Sequence, residues 1–171
     1  QRLGIEEYVD VVTVAKLLQN GAVLYSKEYN PKPGLVSGTF AGSSSGLRAG
    51  IKALEMLKSG LAGKGGRVYS LENQTIEHFK SLKNSDVGQF VKDYTVYGGM
   101  IAFTIFDASL EKTKSFLNHL FDLGAVAFFC GHGPYRVRML PPFGVITDSQ
   151  WKKVFDLIEQ ALKKTSSEGG K

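Results

Sequence analysis

The stretch Val9-Asp10-Val11-Val12-Thr13-Val14-Ala15-Lys16 is followed, after a short connection, by Gly21-Ala22-Val23-Leu24-Tyr25. Both runs are rich in β-branched and apolar residues, which predicts two consecutive β-strands. The first run leads into Lys16, so we expect an ammonium group at the rim of a sheet, where an aldehyde could react with it. A solvated surface lysine is the alternative, and it is the commoner outcome for a lysine at the end of a strand.

Composition limits the class of protein. The chain has 171 residues, of which 43% are hydrophobic and 22% are charged. These values predict a globular protein of one domain, or of one domain with part of another. No apolar run reaches the roughly 18 residues of a membrane-spanning helix, so no membrane partner is expected. The formal net charge of +5 is spread along the chain without a clustered basic and aromatic surface, so no nucleic-acid partner is expected.

The residues that commonly bind metals are few and scattered. Cys130 is the single cysteine, which excludes a disulfide within the chain and a cysteine-based metal site. No metal-ligand spacing links His78, His119 and His132, so we expect no metal. A chain without disulfides is typical of a reducing compartment, and we therefore expect a cytoplasmic protein.

The order of predicted elements indicates an α/β fold in two parts. A helix over residues 46–59, ended by Gly60, is predicted from apolar-face positions at helical spacing, namely Leu47, Gly50, Ile51, Leu54 and Leu57. The glycine-rich residues 61–66 then mark a domain boundary. Residues 67–164 predict helix, strand, helix, strand, strand, helix, which suits an α+β domain with a small sheet and helices on one face.

Two details of this second part are expected from composition. Residues 94–106 are predicted to form one long strand with a bulge or close approach at Gly98-Gly99. The small polar residues 165–171 are predicted to be a disordered tail.

A small-residue segment precedes the first predicted helix. Ser37-Gly38-Thr39-Phe40-Ala41-Gly42-Ser43-Ser44-Ser45-Gly46 combines glycines with hydroxyl groups at the expected helix N-terminus. Free backbone N–H groups and the helix dipole at such a position favour an anion. A flexible linker that ends in a serine N-cap is the alternative.

A second candidate binding feature is a pair of arginines. Arg136 and Arg138 alternate along a predicted strand, residues 135–139, and therefore share one face. Such a pair could bind a carboxylate in bidentate fashion, or it could pair with a nearby glutamate.

Several segments follow one another in an order that is typical of one family. Asp10-Val11-Val12-Thr13-Val14-Ala15-Lys16, Gly21-Ala22-Val23-Leu24 and Gly38-Thr39-Phe40-Ala41-Gly42 are followed by Val96-Tyr97-Gly98-Gly99-Met100-Ile101 and by Val137-Arg138-Met139-Leu140-Pro141-Pro142 with Ile146-Thr147. This order resembles class III aminotransferases, which are fold-type I pyridoxal-phosphate enzymes. The match extends across nearly the whole chain, which makes it far more specific than any one segment.

The resemblance implies a role for three residues. Lys16 would form the Schiff base with pyridoxal 5'-phosphate and then move a proton between the substrate and the cofactor. Thr39 would bind the cofactor phosphate of the neighbouring subunit, which implies a homodimer. Arg138 would lie near the substrate carboxylate or pair with an active-site glutamate. The implied reaction transfers an amino group from an amino acid to a 2-oxo acid.

Departures from the family pattern refine this expectation. The connection between Lys16 and Gly21 lacks a glycine-rich insert, which is closest to the lysine 6-aminotransferase branch, and Ala41-Gly42-Ser43-Ser44 replaces a Gly-Gly-Asn-Pro segment. The family's carboxylate for the pyridine nitrogen, its stacking aromatic and its main phosphate loop precede the lysine. The chain is therefore expected to be the C-terminal part of a larger enzyme, with residues 1–60 ending the cofactor-binding large domain and 67–164 forming the small domain.

Two alternatives remain at this point. A glutamate-1-semialdehyde aminomutase-like enzyme would move the amino group within one molecule. A non-catalytic α/β domain would serve only for packing or dimerisation. Because the upstream carboxylate is not part of this sequence, we expect the isolated 171 residues to lack transaminase activity.

Overall fold

The computed structural model describes residues 4–35 and 37–168. The chain forms two compact units, which divide between Ser59 and Gly60. No helix within the described ranges is long and apolar enough to cross a membrane.

The first unit is built from a β-hairpin and a helix. Strand β1 (Val11–Val14) pairs antiparallel with β2 (Ala22–Tyr25), and a 3-10 turn at Lys16–Leu18 connects them. Helix α1 (Ser44–Met56) continues as one π-helical turn at Leu57–Leu61. The two predicted strands and the predicted helix are thus present.

The second unit contains a four-stranded antiparallel sheet and three helices. Its elements are α2 (Arg67–Lys83), β3 (Val91–Tyr97), β4 (Met100–Ile105), α3 (Leu110–Asp122), β5 (Phe128–Cys130), β6 (Arg136–Met139) and α4 (Asp148–Ser167). The strand order is β3-β4-β6-β5. Helices α2 and α3 contact the strands, and α4 packs on both helices. The overall class is mixed α/β, as the sequence predicts, and both sheets are antiparallel.

The core of the second unit lies on one face of this sheet. Alternate strand residues are buried there because successive side chains point to opposite faces. The helices bury apolar residues at helical spacing against them. The largest fully buried side chains include Phe79, Phe103, Phe116, Leu71, Ile101, Ile105 and Leu120.

Side-chain caps determine where two of the helices begin. Ser109 Oγ accepts a hydrogen bond from the Lys112 backbone N–H at the start of α3. At the start of α4, Thr147 and Gln150 form a capping box in which each side chain accepts from the backbone of the other. These bonds satisfy N–H groups that a helix N-terminus otherwise leaves without partners.

The predicted single strand over residues 94–106 is wrong. The chain reverses at Gly98-Gly99, and β3 and β4 pair as a hairpin in which Tyr97 lies opposite Met100. A two-residue hairpin loop requires positive φ, and Gly98 has a φ of +60°. Gly98 N–H also donates to Glu72 Oε2 of α2 at 2.8 Å, which ties the hairpin to a helix.

The predicted disordered tail is also wrong where the structure describes it. Helix α4 extends to Ser167, and Thr165 is fully buried with its hydroxyl donating to the Ala161 carbonyl. Ser115 Oγ and His119 Nε2 hydrogen-bond the Glu168 carboxylate, and these bonds hold the pKa of Glu168 below its usual range. The rest of the predicted tail, residues 169–171, lies outside the described residues.

Two buried threonines provide a matched test of this core. Thr113 and Thr75 are both fully buried in helices. Thr75 Oγ1 accepts from Trp151 Nε1 at 3.0 Å and donates to the Leu71 carbonyl, whereas Thr113 Oγ1 has no hydrogen-bond partner within the described residues.

We predict opposite effects of the same isosteric change. Thr113→Val should raise the free energy of unfolding by about 1 kcal/mol, because it removes an unpaired buried hydroxyl. Thr75→Val should lower it by about 1–3 kcal/mol, because Trp151 Nε1–H loses its acceptor. Urea denaturation of both variants measures the difference, and equal losses of stability would contradict the prediction.

Candidate functional site

Lys16 lies directly after the first strand, in a rare backbone conformation. Strand β1 ends at Val14, Ala15 is extended, and Lys16 opens the 3-10 turn with a φ of +62°. A left-handed φ is uncommon for a residue with a long side chain. Lys16 is exposed, and its ammonium group makes no hydrogen bond or ion pair within the described part of the chain. The amine is therefore available to react.

Local hydrogen bonds close the turn that begins at Lys16. The Lys16 carbonyl accepts from the Gln19 backbone N–H at 3.0 Å and from Gln19 Nε2 at 3.2 Å. Gln19 itself has a left-handed φ of +54°. A left-handed residue at each end of the turn and a carbonyl that accepts two hydrogen bonds define the path of this backbone.

Helix α1 approaches the same turn through two glycines. A Cβ atom at position 50 would lie 2.8 Å from the Leu18 carbonyl oxygen, and one at position 46 would lie 3.1 Å from the Gln19 carbonyl oxygen. Gly50 is the one buried residue among those described in the first unit. The turn after Lys16 is thus in direct backbone contact with α1.

Thr39 lies in the loop that leads into α1. It is exposed, and the N-cap residue Ser43 makes no side-chain hydrogen bond to the helix. Instead, the hydroxyl groups of Ser43 and Ser45 are 3.1 Å apart and bond to each other. The first N–H groups of α1 therefore lack a side-chain acceptor, which is the arrangement that suits an anion.

A cleft connects the Lys16 turn to this helix N-terminus. Its volume is about 440 Å³, and its lining residues are Gln19, Asn20, Phe40, Ser43, Ser45, Gly46 and Ala49. Gln19 closes the turn that Lys16 opens, and Phe40 follows Thr39 in the chain. The structure therefore brings the end of the Lys16 turn and the start of α1 to one site in the first unit.

Arg136 and Arg138 have different environments in the second unit. Arg136 pairs with Asp93 at 2.6 Å, and its guanidinium also donates to Thr104, Thr95 and the Ala102 carbonyl. Arg138 is exposed, and its guanidinium carbon lies 5.9 Å from the centre of the Phe128 ring. Within the described residues Arg138 has no acidic partner, so of the two arginines it is the one available to a ligand.

The sequence prediction did not identify three residues that shape these sites. Gly50 was recognised only as a member of a helix face, although a glycine inside a helix usually has a packing reason that could have identified it. Gln19 carries no such signal, because its residue type does not mark the left-handed conformation that it adopts, and Phe128 carries none because its place opposite Arg138 depends on strand register. Within the described ranges, no group of three or more acidic, histidine or cysteine side chains could hold a metal ion.

Solved structures similar to this chain are aminotransferases. A transaminase from the marine bacterium Virgibacillus matches with a TM-score of 0.79 over 98% of this chain and 42% of its own, at 19% identity. The PMP-bound form of an aminotransferase from Vibrio fluvialis matches with a TM-score of 0.73 over 96% of this chain and 40% of its own, at 25% identity. An omega-aminotransferase from Paracoccus denitrificans matches with a TM-score of 0.58 over 72% of this chain and 27% of its own, at 25% identity.

These comparisons define the fold class. The chain has the fold of the C-terminal part of aminotransferases, and it spans less than half the length of each of these neighbours. No protein-family model matches the chain, and no curated protein matches it.

The two arginines generate a prediction about stability. Arg136→Ala should lower the free energy of unfolding by about 1–2 kcal/mol, because Asp93 and Thr104 lose a charged donor on a half-exposed surface. Arg138→Ala should change it by less than about 0.5 kcal/mol, because only a surface stacking contact is lost. Thermal and urea unfolding of the two variants measures this, and an Arg138→Ala loss as large as that of Arg136→Ala would contradict it.

Proposed function

We propose that this chain is the C-terminal part of a class III, pyridoxal-phosphate-dependent aminotransferase, which transfers an amino group from an amino acid to a 2-oxo acid. The observation that carries the proposal is Lys16. Its amine, which has no partner among the described residues, follows a strand at a left-handed position, in a chain that matches transaminase structures over up to 98% of its length. The short connection from Lys16 to Gly21 favours the lysine 6-aminotransferase branch.

The residues of the first unit fit pyridoxal 5'-phosphate chemically. Lys16 supplies a primary amine for the aldehyde of the cofactor in its own subunit, and the N-terminus of α1 with the Thr39 hydroxyl supplies donors for the phosphate of the cofactor in the neighbouring subunit. When bound, the cofactor stabilises negative charge on the substrate carbon that carries the amino group. Lys16 Nζ would then act as the base that takes the proton from that carbon and returns it during the exchange.

Arg138 is the proposed contact for the substrate carboxylate. A planar guanidinium can donate two parallel hydrogen bonds to a carboxylate, and no acidic side chain in the described residues competes for it. Arg136 cannot serve this role without breaking its pair with Asp93. The Arg138 guanidinium carbon lies 5.9 Å from the centre of the Phe128 ring and the residue is exposed, so its N–H donors are accessible to a ligand.

We also propose a homodimer in the cytoplasm as the working state of the intact enzyme. Thr39 would bind the cofactor phosphate of the neighbouring subunit, so the loop over residues 34–46 would lie at the dimer interface. Phe40 supports this, because the residue, which follows Thr39 in the chain, is 81% exposed. Aromatic residues are enriched at protein interfaces relative to the rest of the surface.

The alternative of a non-catalytic packing domain also has an observation in its favour. The apolar side chains of α1 remain exposed, including Leu47, Ile51 and Leu54. A surface of this kind is suited to packing, and the isolated chain without its upstream residues is expected to serve no more than that role. We therefore expect the 171 residues alone to lack transaminase activity.

Chemical trapping of the lysine tests the proposal. Borohydride reduction of the full-length enzyme with pyridoxal phosphate, followed by peptide mapping, should place a stable cofactor label on Lys16. Lys27 is the matched control, because it opens a 3-10 turn directly after β2 and is likewise exposed. Lys16→Arg should abolish the label and Lys27→Arg should retain it, whereas a label on any other peptide would refute the role of Lys16.

A substrate experiment separates the transaminase from the aminomutase alternative. An aminotransferase consumes an external 2-oxo acid in proportion to the amino acid that it converts. An aminomutase converts its substrate without net consumption of any 2-oxo acid.

A further inference from the structure

We propose that Gly50 is a positioning residue for Lys16, because the absence of a side chain there lets α1 support the backbone turn from which the lysine amine projects. This role rests on the proposed function of Lys16. It assigns a task to a helix residue that touches neither the amine nor a ligand.

The backbone conformation of Lys16 needs support from its surroundings. A residue with a φ of +62° occupies a sparsely populated backbone region. Such a residue keeps its conformation only where the surrounding structure holds it, and residues of this kind cluster at functional sites. Some contact must therefore prevent the Lys16 turn from relaxing.

Helix α1 makes that contact with the turn. The Lys16 carbonyl is held by Gln19 from within the turn, and the carbonyl oxygens of Leu18 and Gln19 lie against Gly50 and Gly46 of α1. The Leu18 oxygen lies so close to the helix that a Cβ atom at position 50 would stand 2.8 Å from it. No side chain fits at that distance, so any larger residue must displace the turn or the helix.

A glycine at residue 50 is unfavourable for helix α1 itself. Glycine in a helix interior disfavours the helix, because its unfolded chain has more freedom to lose. Neighbouring positions on α1 carry ordinary side chains, which are exposed at Ile51 and Lys52. The close approach to the Leu18 carbonyl is the structural reason that glycine is required at residue 50.

A larger side chain at residue 50 should affect the chemical step more than it affects substrate binding. Displacement of the turn moves the Lys16 backbone, which lies two residues before Leu18, and hence the starting point of its amine. A misplacement of about 1 Å can reduce a rate by about a hundredfold even when the mutation lies far from the chemistry. Substrate recognition through Arg138 does not depend on this turn.

The experiment compares three variants of the holoenzyme. Gly50→Val and Gly50→Ala add a side chain against the Leu18 carbonyl, and Lys52→Val adds the same β-branched side chain at an exposed position of the same helix. Gly50→Val should lower kcat by about a hundredfold and Gly50→Ala by about threefold to tenfold, with KM for the amino donor changed less than threefold. Lys52→Val should retain the wild-type kcat.

A second readout does not depend on turnover. The visible absorbance band of the enzyme-bound cofactor titrates with pH, and in Gly50→Val its midpoint should shift by at least about half a pH unit, because the environment of the Lys16 nitrogen changes. Lys52→Val should leave the midpoint in place. If Gly50→Val fails to fold, Gly50→Ala decides the question with the same two readouts.

The outcomes separate this role from the proposed function. Trapping at Lys16 in the wild type with unchanged kcat and titration midpoint in both Gly50 variants overturns the positioning role and leaves the function intact. Failure to trap cofactor on Lys16 in the wild type overturns both. A kcat loss in the Gly50 variants with a proportional rise in KM and an unshifted midpoint also overturns the role, because it would indicate general damage to binding.

Discussion

The left-handed backbone at Lys16 is the constraint on which the first unit depends. A strand cannot continue through a residue with a φ of +62°, so β1 ends and the chain turns. The turn returns the chain so that Ala22 pairs with Val14, and it presents the Leu18 carbonyl to α1. The φ angle of Lys16 therefore accounts for the end of β1 and for the start of the hairpin turn. It also sets the backbone position from which the candidate reactive amine projects.

The two units are stabilised in different ways. The second unit buries a continuous set of apolar side chains between one sheet face and its helices, whereas the described part of the first unit buries only Gly50. Because apolar burial is the main favourable term in folding, most of the stability of the chain resides in the second unit. The first unit is held by a backbone ladder and by the helix–turn contact, so small backbone shifts matter most where Lys16 lies.

Local signals in the sequence predicted most elements, and long-range contacts explain the errors. The caps at Ser109 and Thr147 depend on neighbouring residues and were predictable. The hairpin at Gly98-Gly99 was missed because an apolar run interrupted by glycines fits a bulged strand as well as two paired strands. The end of α4 was missed because its residues are small and polar, whereas the burial of Thr165 and the bonds of Ser115 and His119 to Glu168, which hold this end, are tertiary contacts.

The arginines show why part of the candidate site lies beyond sequence patterns. Alternation along β6 places Arg136 and Arg138 on one face, but it cannot decide which of them is free. That choice depends on the neighbouring strands: the Arg136 guanidinium reaches Thr104 and Asp93, whereas Arg138 lies opposite Ala102 and Phe128, which offer no acceptor side chain. Strand register, which sets these neighbours, is thus what separates a structural arginine from one that can bind a substrate carboxylate.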